Sequence, residues 1–572
     1  MRVLRSWRLV WGTAAAAALT VVSLAGTAAS AAPSAADAVT QYRVSPAGIS
    51  VDTLADRLEA AGFDIAGGRD GALFVVAGPD LGRRLSARSD LRVEQRTTVT
   101  AQVSAAAGLD DILPSRLDGT TYETFYGGYR TVDAYGAFLA DLQQAYPDLV
   151  RVVDFGTTST GANTLKVACV TADAGDGCQL TPTTDKARFL LAGQIHAREL
   201  STSEMAWREL THLVDGYATD AAVTGLLDTT EVWIVPQINP DGIETAQTGI
   251  IEDGLGQSSD AWQRKNRHAG TKSCSGGNFS QIGIDLNRNF ASNWGGAGTS
   301  GDQCNLTYRG TAADSETETT AVEALMQDLF ADQRGPNPGD PAPATTSGAM
   351  VTMHSYSNLV LFPYGDNRTS PNDAGLRSMG FRMSYYNGYR TGQPDEILYS
   401  VTGSTDDWSY ETLGIASFTY EIGPEGGACS GFFPAYTCQD GFWDLNGPAI
   451  DYAARAATHP YTMGLGPTIL TAGISSTDPT RATITATAND GAYGTNGVRR
   501  PSAQTVNAAR IYYGGSPSDG GRTKPMTVTA SGSSATLRLT VPKQASQQLV
   551  YVQARDSAGN WGPLSAVYVP AR

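Results

Sequence analysis

Histidine is scarce in this chain of 572 residues: there are five, at positions 196, 212, 268, 354 and 459. Any imidazole chemistry therefore rests on a handful of places. Basic residues are in the minority, with 41 Lys and Arg against 57 Asp and Glu, giving a net charge of -16 and a pI near 4.8. That balance excludes a general nucleic-acid binder, which needs a basic footprint. The six cysteines (169, 178, 274, 304, 429 and 438) include no Cys-x-x-Cys pair, so zinc-ribbon and thioredoxin-like chemistry are excluded. No segment carries the roughly 18 uninterrupted apolar residues of a membrane span.

The sequence is rich in organisation. Arg2, Arg5 and Arg8 precede a short apolar core from Ala14 to Leu24 and then Ala29-Ser30-Ala31. This order of basic, apolar and small residues predicts a signal peptide over residues 1–32 and a secreted, extracellular protein. Cysteines in an oxidising compartment read as loop staples. Neighbourhood in the sequence suggests the pairs 169–178, 274–304 and 429–438, although sequence alone leaves other pairings open.

The length predicts about three or four folding units. Residues 33–120 form a small one with few catalytic side chains, containing a helix near Val51–Leu58 and a strand near Ala72–Val76. Gly108, Pro114 and Gly119 mark a linker over 105–121. Its place between a signal peptide and a larger unit suggests a propeptide; a permanent accessory domain is the alternative. Residues 121–462 alternate strands with helices, predicting an α/β unit with a mixed, mostly parallel sheet and helices on both faces. Residues 463–572 hold seven short alternating runs separated by Gly-, Ser- and Asn-rich turns. They predict an immunoglobulin- or fibronectin-like β-sandwich, without the Cys…Trp…Cys spacing of true immunoglobulin domains.

Chemistry concentrates in the α/β unit. The apolar run that begins at Arg188 ends at His196 and Glu199, and Ser201-x-x-Glu204 follows as a capping box opening a helix. A His and a Glu three residues apart at the carboxyl end of a strand can face one object above the sheet edge, although the pair alone is a weak signal. His354 ends a second apolar strand, Met350–Met353. Together these supply three N/O ligands with one position open, the make-up of a catalytic zinc site. Asp285 can accept a hydrogen bond from a ligand imidazole and fix its tautomer. His212 and His459 read as structural or surface residues, and His268 is left open.

Arg198, Arg264, Arg267, Asn287 and Arg288 gather near these motifs in an otherwise acidic protein. Each alone reads as a surface ion pair; together they suggest capture of a carboxylate, which guanidinium groups bind bidentately. Glu421 ends a strand that is otherwise apolar. It is either structurally paired or a base for water, worth about 10²–10⁴-fold in rate.

These residues also form an ordered set: His196-Ala-Arg-Glu199, Asn239-Pro-Asp-Gly242, Arg264-Lys-Asn-Arg267, Asp285-x-Asn-Arg288, His354-Ser-Tyr356, Tyr399 nine residues before Trp408, and Glu421 thirteen after it. Through them residues 122–461 resemble the zinc metallocarboxypeptidases of the pancreatic carboxypeptidase A and B type, as a bacterial secreted member. The resemblance implies one zinc ion per catalytic domain, held by His196, Glu199 and His354, and peptide or protein C-termini as substrates. It implies that Glu421 is the general base toward zinc-activated water and that Arg264 stabilises the oxyanion. Asn287 and Arg288 would clamp the terminal carboxylate, Tyr399 would close over the bound residue, and Arg198 and Tyr356 would line the next subsite. Asp406 falls where the B type carries an aspartate at the floor of the specificity pocket. This predicts cleavage of C-terminal Lys or Arg, with tolerance of apolar residues, by a monomeric enzyme. The Gly- and Ser-rich stretches 254–281 and 292–313 depart from the family pattern and predict loops around the cleft. A secreted binding protein that keeps the fold without the catalysis is the rival reading, and retention of Glu421 argues against it.

Overall fold

The computed structural model describes residues 38–100, 112–274, 281–337, 339–475 and 478–572. The expected signal peptide and the first part of the expected linker lie outside the described residues.

Eight strands form the central sheet of the α/β unit. They lie side by side as Arg390–Gly392, Leu359–Leu361, Ala416–Glu421, Ala349–His354, Ala187–Gly193, Thr230–Val235, Thr164–Val170 and Val150–Thr157. Four of the seven pairings are parallel, and these include all contacts among the central strands. Central parallel strands are covered on both faces and so read as continuous apolar runs; Ala187–Gly193 and Ala349–His354 are buried along their whole length. Alternate residues feed two cores. Phe189, Leu191, Val351 and Met353 pack against Phe138, Trp207, Leu210 and Ile450. Leu190, Ala192 and Met350 pack against Val322, Leu325, Met326 and Trp408 on the other face. Helices therefore cover both sides, as the alternation predicts.

Register sets the level of the strand ends. Ala349 lies opposite both Phe189 and Ala416, and His354 lies opposite Glu421. The carboxyl ends of three adjacent parallel strands thus come level, the edge where ligands collect in open α/β sheets.

The N-terminal unit is an antiparallel sheet in the order Asp64–Arg69, Ala72–Ala77, Thr40–Pro46 and Leu91–Thr98, with helices Val51–Ala60 and Pro79–Ser86. Ser50 caps the first helix by accepting from the Thr53 amide. Packing on the α/β unit begins earlier than residue 121. The Ile112 carbonyl accepts from Trp207 Nε1 and Thr211 Oγ1, both at 3.1 Å, and Leu117 enters the main core. Arg116 lies over the Tyr146 ring and donates to the Ala145 carbonyl. The second half of the expected linker therefore packs against the α/β unit.

The C-terminal region holds two four-stranded antiparallel sheets around one apolar core, consistent with a sandwich. Eight strands replace the seven runs read from the sequence. The additional one, Arg522–Pro525, is a polar edge strand with no alternation to betray it, and the chain then changes sheets to form Thr527–Ser531. All three expected disulfides are present. Among the described residues no helix is long and apolar enough to cross a membrane.

Candidate active site

The strand Ala187–Gly193 ends in a tight turn. Gly193 is required there, because a Cβ would come within 2.9 Å of the Pro236 carbonyl. The chain then enters the helix Leu200–Gly216, whose N-cap residue is Glu199 itself. The expected Ser201–Glu204 capping box does not form. Glu204 is instead buried in an ion pair with Arg130 and accepts from Tyr135 and Tyr436. That charge pair leaves no oxygen for the helix start.

His196 Nδ1 lies 2.9 Å from Glu199 Oε1, His354 Nδ1 lies 3.2 Å from Glu199 Oε2, and the two Nδ1 atoms are 3.1 Å apart. Asp285 Oδ1 is 3.1 Å from His196 Nε2, which places the imidazole proton on Nε2 and leaves Nδ1 as an acceptor. Two imidazoles and a carboxylate thus converge while buried, a ligand set that fits a divalent zinc ion. Among the described residues no other group of three such side chains comes together. Burial pushes the Glu199 carboxyl up, but the two flanking histidines hold it well below the usual range.

Asp285 serves three partners: its first oxygen also accepts from the Asn287 amide at 3.1 Å, and its second accepts from Arg264 Nε and Nη2 at 3.0 and 2.9 Å. It is fully buried, and Arg264 and His196 outweigh that burial and keep it ionised. Glu421 stands at the end of the neighbouring strand. Burial and the Glu199 charge push its carboxyl well up, against the pull of Arg264 and Arg288. Asn287 accepts from the Thr405 amide and hydroxyl at 3.0 and 2.9 Å, which fixes its side chain. Arg288 donates to the Gly298 and Asn287 carbonyls and makes no ion pair among the described residues.

One cavity of about 70 Å³ joins these groups. Its walls include His196, Glu199, His354, Arg264, Asn287, Arg288, Tyr399, Asp406 and Glu421. Arg267, grouped with these arginines on sequence grounds, does not line it. Arg198 and Tyr356 are also absent from its walls, because the N-terminal unit has claimed them. Arg198 donates to both Asp64 oxygens at 2.6 and 2.8 Å and lies over the Phe432 ring, and Gln41 Nε2 donates to the Tyr356 hydroxyl at 3.1 Å. Ile65, Ala66 and Gly67 of that unit close the cavity. A Cβ on Gly67 would meet Ser357 Oγ at 2.1 Å. The same unit sets Glu59 near Arg288 and Arg264, where burial pushes its carboxyl up to about 7 against their pull. Sequence reasoning missed Asp64 and Glu59, because contacts between two units leave no periodicity, and Phe432, which lies in a loop of the α/β unit.

Comparison with known proteins bears on the family and the fold. The family model described as zinc carboxypeptidase matches residues 135–442. A zinc carboxypeptidase of Saccharothrix mutabilis subsp. capreolus is 30% identical over 67% of this chain and 81% of its own length. Carboxypeptidase A2 of Mus musculus is 29% identical over 53% of this chain, and the match spans 64% of the mouse protein, less than two thirds of it. The carboxypeptidase A structure from Helicoverpa armigera superposes with a TM-score of 0.57 at 20% identity, covering 74% of this chain and 98% of that one. Thrombin activatable fibrinolysis inhibitor does so at 0.54 and 22%, covering 74% and 99%. These two likenesses establish the fold. On the match of the family model to more than half its length, the chain belongs to the zinc carboxypeptidase family.

Proposed function

We propose that this protein is a secreted zinc-dependent carboxypeptidase that removes C-terminal Lys or Arg, tolerates apolar residues, and is made as a latent precursor. The observation that carries the reading is one buried cavity that gathers the His196–Glu199–His354 cluster, Glu421, Arg264 and Asp406. His196, Glu199 and His354 would hold a divalent metal ion, which would supply Lewis acidity toward a carbonyl oxygen and make water a stronger acid. Glu421 takes the proton from the attacking water and returns it to the leaving amine, as one carboxylate can in successive steps. Arg264, fixed by Asp285, aims its guanidinium at the developing oxyanion, a contact worth about 10²–10³-fold. Arg288 and Asn287 receive the substrate carboxylate, so the bond cut is the last one. Tyr399 closes over the terminal side chain.

Asp406 selects the side chain. It is buried, lines the cavity, and has no cationic partner among the described residues. Its neighbour Asp407 faces away and accepts from the Gly365 amide. A substrate Lys or Arg would supply the missing counter-charge, while Leu361, Pro394, Leu398 and Val401 give walls that accept an apolar residue. Replacing Asp406 by Ala is expected to lower kcat/KM on an Arg-ending peptide by about 10²–10³-fold, as loss of a buried charge pair does. A Leu-ending peptide should be cut at least as well as before. An equal fall for both peptides, or a wild-type preference for a Glu-ending peptide, would contradict this assignment.

The docked N-terminal unit supports latency. Its contacts fall on Arg198, Tyr356 and Tyr399, the positions expected to meet substrate, and its Ile65–Gly67 edge fills the cavity mouth.

A further inference from the structure

The C-terminal sandwich reaches the residues behind one wall of the catalytic cavity through one long connection, residues 490–505, between its strands Arg481–Asn489 and Val506–Tyr513. This segment does not hang free. At its root, Asp490 forms a fully buried ion pair with Arg382 of the α/β unit at 3.0 Å, and Arg382 also lies over the Tyr493 ring and donates to its hydroxyl. Further along, the segment adds itself to the edge strand Arg390–Gly392 of the main sheet. The Thr391 amide donates to the Asn496 carbonyl at 3.2 Å, and the Val498 amide donates to the Thr391 carbonyl at 3.0 Å. Gly497 sits between them with φ of 138°, and a Cβ there would come within 2.3 Å of the Thr391 carbonyl. Only glycine allows that approach.

The next two residues face the turn that leads into the pocket. Val498 packs with Leu359, Leu361, Ile397 and Leu398. Arg499 pairs with Glu396, which also receives Arg377 at 2.9 Å and closes the capping box with the Gln393 amide. Glu396 and Ile397 belong to the one-turn helix Pro394–Ile397, and Leu398 and Tyr399 follow it directly. Leu361, Pro394, Leu398 and Tyr399 all line the catalytic cavity. A helix of four residues cannot hold its own geometry, so its position depends on what grips it from outside.

We propose that residues 490–505 of the sandwich are a strap that positions the wall of the specificity pocket, with Val498 and Arg499 as its positioning residues. The sandwich then helps to shape the substrate pocket. This rests on the carboxypeptidase reading of the same pocket. The strap touches no reacting group; it fixes the side-chain wall that the substrate's last residue must fit. Loosening it should therefore weaken binding more than turnover.

The test uses full-length Val498→Ala, Arg499→Ala and Arg499→Lys. After proteolytic activation, each Ala variant is expected to raise KM on an Arg-ending peptide by about five- to tenfold with kcat within about twofold. Arg499→Lys, which keeps the charge beside Glu396, should restore most of the difference. Amide hydrogen exchange on the same chains should run about tenfold faster over residues 390–397 in the Ala variants while the central strands stay unchanged. Unchanged exchange over 390–397, or a KM that stays at the wild-type value, would overturn the strap. If the wild type cuts no C-terminal peptide, the functional reading fails and the exchange pattern alone decides the strap.

Discussion

Replacing Glu421 by Gln is expected to leave zinc bound and to lower kcat by about 10²–10⁴-fold, the range set by loss of a positioned general base. The amide has the carboxylate's shape, so the strand end and the cavity keep their form. The ligand cluster should keep its metal because its three members are His196, Glu199 and His354, whose approach to one another owes nothing to Glu421. Glu421 is nonetheless held beside them by the parallel register that sets it opposite His354. Metal content near one zinc per chain together with near-wild-type turnover would remove Glu421 from the mechanism. Loss of zinc in the variant would instead make it a ligand.

The second large effect concerns the N-terminal unit. The uncut chain is expected to hydrolyse peptides at least about a hundredfold more slowly than the same chain cut between Val99 and Ile112. That factor needs only about 2.7 kcal/mol of docking free energy. The Asp64–Arg198 pair is buried on both sides, and removing one member of such a pair costs about 3–5 kcal/mol. Asp64→Ala should therefore raise the activity of the uncut chain toward that of the cut one. Tyr356 and Tyr399 would be freed with Arg198, since the same unit covers all three. An uncut wild type with full activity, or an uncut Asp64→Ala chain as silent as its parent, would show that this unit is not a plug.

The candidate site was legible in the sequence because strand ends carry it. His196, His354 and Glu421 each stop an apolar run, and a polar side chain closing a buried strand has few other reasons to be there. Asp285 was also readable, as the acid that a metal-bound histidine calls for. Arg198 and Tyr356 could be named from their motifs, yet their present partners, Asp64 and Gln41, lie in another unit and had no signature. Local rules failed where tertiary demand was stronger: Ser201 and Glu204 look like a capping box, but Glu204 neutralises the buried Arg130. The missed strand Arg522–Pro525 is exposed and polar, so neither burial nor alternation marked it. The strap was invisible for a related reason. Only the fold shows that Gly497 lets the segment lie against the sheet edge and that Gly494 lets it approach Ser384 of the helix Asp373–Asn387.

The most direct measurement follows the products of an unblocked peptide ending in Arg by mass spectrometry, with the cut protein as purified, after chelation, and after zinc is returned. Release of a single C-terminal Arg is expected, lost on chelation and recovered with about one zinc per chain. Cleavage at internal bonds, or undiminished release of Arg from metal-free protein, would contradict a zinc-dependent carboxypeptidase.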